Sequence, residues 1–135
     1  MLFALMAAAT GCAATTADVS PQALLHHRFV LIKADDANVA QNKMHPKELS
    51  FGEGMHVYGA VCSRFRGQGE LSGATLRVPE LITTVEACQT PEEQKIDELT
   101  RKMLAEGVTL RMRGQQLWLL TPQHTLVWQL ADLVG

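Results

Sequence analysis

One segment constrains the fold of this chain more than any other: Thr90-Pro91-Glu92-Glu93. A threonine before a proline, with glutamate three residues after the threonine, is a capping box with proline at the first helical position, where its missing N–H is not needed. Ile96, Leu99 and Met103, helped by Leu104, then recur at helical spacing and predict an amphipathic helix that ends at Gly107. Asp97 with Arg101 and Glu98 with Lys102 stand four residues apart and are expected as solvated pairs of small worth on the other face. Ser20-Pro21-Gln22-Ala23-Leu24-Leu25 predicts a second, much shorter helix with Ser20 as its cap.

Most of the remaining chain is written in short, strand-like pieces. Arg28 to Lys33, Glu48 to Phe51 and Met55 to Val61 read as strands, the last two joined by the turn Gly52-Glu53-Gly54, with a long polar loop from Asp35 to Lys47. Gly67, Gly69 and Gly73 break the next stretch and leave Glu70-Leu71 and Ala74 to Val78 as strands about a turn, with Leu81 to Val85 extended toward Cys88. After the helix, Val108, Leu110 and Met112 alternate with polar residues. Leu117 to Leu120 follows a turn at Gly114-Gln115, and Leu126, Trp128 and Leu130 alternate again after Pro122, which predicts a closing three-strand antiparallel meander. The expected fold is α+β and mainly antiparallel, with seven or eight strands curled into a cracked or incomplete barrel and one main inserted helix. Trp118 and Trp128, on neighbouring predicted strands, are expected to pair and fill core.

The N-terminus carries a different kind of information. Met1 to Ala9 is apolar and ends in Ala9-Thr10-Gly11-Cys12 before an uncharged Ala/Thr spacer. A run of about ten residues falls short of the roughly 20 needed to span a bilayer. Small residues leading to a cysteine resemble the lipobox of bacterial lipoproteins. That resemblance implies a signal peptide over residues 1–11, acylation of Cys12, a flexible tether to residue 19 and a domain over 20–135. With Ala13 where an inner-membrane retention signal has Asp, it also implies an outer-membrane address facing the periplasm. The competing reading is a buried N-terminal helix, for which residues 13–17 offer nothing to pack.

The 135 residues have room for one modest domain, and a formal charge of −2 with scattered basic residues argues against a nucleic-acid partner. Cys62 and Cys88 remain beside Cys12. In an oxidising envelope they either form a disulfide, contributing about 3–4 kcal/mol by the chain-entropy argument, or stay as two buried thiols. Neither has a second Cys or a His at short ligand spacing, so no metal site is expected.

Gly59-Ala60-Val61-Cys62-Ser63-Arg64-Phe65-Arg66-Gly67 resembles the G-x-x-C-N-x-[FY]-x-G signature of META domains, and Thr83-Thr84-Val85-Glu86-Ala87-Cys88 their T-x-x-x-C segment. Segments 25–31, 50–53 and 130–133 are similar to a heat-shock lipoprotein of this family from enteric bacteria. Ser63 stands where the family usually carries Asn. The resemblance covers essentially the whole mature chain. It implies a β-rich cracked barrel with one helix, and a part in the heat-shock response and in tolerance of antibiotics such as novobiocin, with no established catalysis. The motif residues Gly59, Cys62, Ser63, Phe65, Gly67, Thr84 and Cys88 are expected to define the fold rather than an active site.

The remaining candidates for chemistry are sparse. His26 and His27 are adjacent and point apart in either regular structure; His45, His56 and His124 are isolated in sequence. The glycine set 67, 69 and 73 lacks the context of a phosphate loop. No catalytic residue and no cofactor is expected. The expected role is a monomeric, non-enzymatic, lipid-anchored domain binding an envelope protein segment or an apolar ligand in the cleft beside the helix, or receiving a strand at a sheet edge. A small hydrolase or antibiotic-modifying enzyme and a purely structural accessory subunit are the alternatives.

Overall fold

Alternating side chains turn this sequence into one long curled sheet, because each strand has one face to bury and almost no helix to bury it against. The computed structural model describes residues 19–131. Within it, a one-turn helix α1 (Pro21–Leu24) leads into β1 (Arg28–Ala34), β2 (Ala37–Asn38) and β3 (Glu48–Gly52). A 3-10 turn precedes β4 (His56–Ala60), β5 (Arg64–Gln68), β6 (Glu70–Ser72), β7 (Thr75–Arg77) and β8 (Ile82–Thr84). Helix α2 (Pro91–Glu106) and the meander β9 (Val108–Arg113), β10 (Gln116–Leu120) and β11 (Thr125–Leu130) complete it. The strands are antiparallel in the order β6-β7-β9-β10-β11-β1-β3-β4-β5-β8, with β2 paired to β1 outside this path. The sheet curls as a half-barrel about a core that includes Phe29, Leu31, Phe51, Leu104, Leu119 and Trp128.

The expected meander and main helix form as read, while the strands number eleven among the described residues rather than seven or eight. The largest difference is β5. Gly67 is expected both to break the chain and, within the signature segment, to allow tight backbone approach at a strand end; it lies inside the strand. A Cβ at Gly67 would stand 2.6 Å from a Val78 methyl and 3.1 Å from the Glu80 carbonyl, so glycine is there for close approach and not for a turn. Gly59 has the same reason, since a Cβ would lie 2.3 Å from the Glu48 carbonyl oxygen and 2.8 Å from the Phe65 ring. Trp118 and Trp128 do not pair. Trp128 faces Leu117 and is fully buried, whereas Trp118 faces Val127 on the outer surface, where the Arg113 guanidinium stacks 4.2 Å from its ring centre. One residue of period-two offset puts the two rings on opposite faces. Val19, expected to end the tether, is buried in the core, and Ser20 makes no side-chain cap.

Helix α2 starts as predicted, with Thr90 Oγ1 accepting from the Glu93 amide at 3.1 Å and Glu93 Oε1 accepting from the Gln89 amide at 3.1 Å. Its surface pairs were misread in one respect. Asp97 is only 1% exposed, and its Oδ1 accepts from the amides of Cys62 at 3.0 Å and Ser63 at 2.8 Å. Its Oδ2 accepts from Arg101 Nε at 3.2 Å and Nη2 at 3.0 Å. Residues 61–63, the turn between β4 and β5, thus find in α2 the acceptor their amides need once buried. Two further ties close the same corner: Ser63 Oγ accepts from the Glu86 amide at 3.1 Å, and Cys62 is joined to Cys88 with Cα atoms 5.4 Å apart.

Two predictions follow from this clasp. Asp97→Ala leaves two inward-facing amides and a half-buried guanidinium unpaired and should lower stability by about 3 kcal/mol; urea unfolding checks it, and a loss below about 1 kcal/mol would mean that water replaces the carboxylate. The double variant Cys62→Ala, Cys88→Ala should lose about 3–4 kcal/mol by the same assay, and an unchanged midpoint would count against a structural bridge.

Candidate functional site

The residues singled out in the sequence gather at the clasp. Gly59 and Phe65 pack against each other across β4 and β5, and Cys62, Ser63 and Cys88 make the ties just described. Thr84 lies in β8 opposite Arg64. Cys62, Cys88 and Asp97 also form a group with metal-ligand atoms close together, but both sulfurs are spent in the bridge and the carboxylate is saturated by four donors. The group is therefore a structural joint. Cys12 and the signal segment lie outside the described residues.

By fixing the first half of α2, the clasp also sets one wall of a cleft of about 830 Å³. The opposite wall is the end of β1, β2 and the loop that follows, residues 34–40. Val39, Ile96 and Leu99 are half-buried and pack against the core, giving the cleft an apolar strip. Lys47, Lys95 and Lys102 and the acids Asp35, Glu92, Glu93 and Glu98 surround it, a rim of mixed sign with one carboxylate in excess. Such a cleft suits an amphipathic occupant rather than a strongly charged one.

Lys47 is the unusual member of the rim. Its side chain is 5% exposed, and its Nζ pairs with Glu93 Oε2 at 3.1 Å and donates to the Ala40 carbonyl at 3.3 Å. A buried ammonium costs several kcal/mol unless paired and hydrogen-bonded, and both partners are supplied by the cleft walls. The hydrogen bond from Lys47 holds the Glu93 carboxyl below its ordinary pKa, against the opposing effect of burial, with help from the Gln89 amide. The sequence placed Lys47 at the end of a loop with nothing to mark it.

At the other end of the cleft, His124 Nδ1 lies 2.9 Å from Asp35 Oδ2, and Asp35 Oδ1 accepts from the Thr125 amide at 2.9 Å. The Thr125 amide first, and the His124 ring second, hold the Asp35 carboxyl below its usual pKa. Residues 89 positions apart could not be joined by reading the sequence alone. Each depressed carboxylate adds stability that is complete above its unfolded pKa, about 4, and is lost as pH falls through the lower folded value. Acid titration of unfolding should therefore show stability falling below about pH 4, and Asp35→Asn should flatten that fall; an unaltered acid limb would refute the assignment.

Residues 22–132 match the META domain. The chain is 39% identical over 117 residues to the protein named heat shock protein HslJ from Escherichia coli strain K12, covering 87% of this chain and 83% of that one. A solved NMR structure at 39% identity superposes with a TM-score of 0.79 over 87% of this chain and 99% of its own. A second, from Burkholderia xenovorans, shares the fold at 21% identity, with a TM-score of 0.67 over 93% of this chain and 97% of its own. With the expected half-barrel, its inserted helix and the signature clasp all in place, the chain belongs to the META domain family.

Proposed function

We propose that the protein is a non-enzymatic, heat-shock-related binding domain, tethered through Cys12 to the outer membrane on its periplasmic side, which holds an apolar or amphipathic envelope component in the cleft beside α2. Likeness to HslJ supports the heat-shock connection. The apolar strip of Val39, Ile96 and Leu99 inside a rim of mixed charge carries the binding reading. A contribution to tolerance of antibiotics such as novobiocin belongs to the same proposal, as protection of the envelope under stress. Among the described residues no helix is long and apolar enough to cross a membrane; in this proposal acyl chains on Cys12 supply the attachment.

The His124–Asp35 pair favours one second reading, a hydrolase or antibiotic-modifying enzyme, because a histidine oriented by a carboxylate is part of nucleophilic machinery. No hydroxyl or thiol hydrogen-bonds to the His124 ring among the described residues. The pair instead pins the β10–β11 turn to the end of β1. Incubating the protein with novobiocin and detecting a product of altered mass would favour the enzyme.

Titration with the neutral apolar fluorophore N-phenyl-1-naphthylamine tests the binding reading. One saturable site is expected, weakened about tenfold or more by Leu99→Asp or Val39→Asp, a change worth about 1.4 kcal/mol. Val85→Asp, outside the cleft, should leave it unchanged. Absence of saturation, or equal binding by all variants, would remove the cleft from the proposal. Cells lacking the gene should survive heat or novobiocin less well, and unchanged survival would remove the physiological part.

A further inference from the structure

A second surface, which shares no lining residue with the cleft, has the character of a recognition site. The outer faces of β3, β4, β5 and β8 floor a groove of about 550 Å³, walled by the loop residues Met44, His45 and Pro46. The large exposed hydrophobic side chains among the described residues are Met44, Tyr58, Ile82 and Val85, with exposures of 80%, 42%, 56% and 73%. The first three line this groove, and Val85 stands between two residues that do. Isolated exposed apolar side chains need no explanation, but three gathered in one concavity, with a fourth on the adjoining edge segment, mark an interaction surface.

The groove ends at a free sheet edge. Strand β8 pairs with β5 alone, and no other described strand lies beside it. Proteins normally protect such edges with lysine, proline or an inward charge. Leu81-Ile82-Thr83-Thr84-Val85 has none of these. The local charge is also unbalanced. The groove's two carboxylates are both occupied, Glu48 by Arg28 at 2.6 Å and Glu86 by Arg64 at 3.8 Å. Arg66, directly across from Ile82 in β5, is exposed and has no carboxylate within ion-pair distance among the described residues.

We infer that β8 receives an extended peptide segment from another protein as an added strand, with apolar side chains continuing the Ile82 surface and an acidic side chain answering Arg66. Backbone pairing supplies affinity and the alternating side chains supply choice of sequence. The added strand covers apolar surface at the groove's rim, and the acidic residue neutralises its one unmatched charge. This site is separate from the cleft beside α2, and neither depends on the other.

The test is a nitrogen-15 NMR titration of the full domain with the end-blocked peptide Val-Thr-Glu-Thr-Val-Thr-Glu-Thr, which presents valine and glutamate together on the one face that Ile82 and Arg66 share. Expected are shifts and slowed hydrogen exchange confined to amides 81–85 and their neighbours in β5, with affinity reduced tenfold or more by Arg66→Glu. The variant Ile82→Lys with Val85→Lys changes only exposed side chains, should fold normally and should abolish the response. Equal binding of a valine–lysine peptide, shifts that map to α2 instead, or no response at millimolar peptide would each overturn the inference. So would a concentration-dependent dimer in sedimentation that the double lysine variant dissolves, because the edge would then belong to a second copy of the chain.

Discussion

The buried carboxylate of Asp97 is the interaction on which the arrangement of this molecule depends. An antiparallel half-barrel can bury its inner face only if something fills the open side, and here that element is a single helix. Hydrophobic contact alone would leave α2 free to slide or rotate along the sheet, since packing has little direction. Two backbone amides from the β4–β5 turn, held by one carboxylate oxygen, give the contact a fixed register. The Arg101 guanidinium then matches the second oxygen from the same helix, so the charge is neutralised where it is buried.

The disulfide and the Ser63 hydroxyl work on the same corner from the other side. Both tie residues 86–88, the approach to α2, to the turn that Asp97 grips. The family signature is intelligible in these terms. Its glycines permit close backbone approach, Phe65 fills the core behind them, and Cys62 and Ser63 offer both amides and side chains to the helix and its leading loop. The Ser63 hydroxyl accepts one hydrogen bond, from the Glu86 amide.

The two candidate binding surfaces follow from this anchoring. On one side, α2 stands off from the β1–β2 turn far enough to leave an apolar strip, and the Lys47–Glu93 pair joins the strand side of the cleft to α2. On the other, β8 pairs with β5 and has no further described strand beyond it, leaving exposed apolar side chains beside an arginine with no ion-pair partner among the described residues.

The sequence by itself determined the elements whose signals are local: the capping box of α2, the period-two meander β9 to β11, the curled antiparallel class, and the signature segment. It misjudged what depends on neighbours distant in the chain. Gly67 could be read as a turn or as a close approach at a strand end, because the contacts that decide between them, with Val78 and Glu80, lie across the sheet, and the course of β5 was not legible without them. Asp97 looked like half of a solvated pair because the amides that bury it lie 34 and 35 residues away. The cleft was anticipated only as a place beside the helix. Its buried Lys47 and the His124–Asp35 contact arise from folding, because local spacing encodes periodicity and caps but carries no record of which polar groups will need each other once water is excluded.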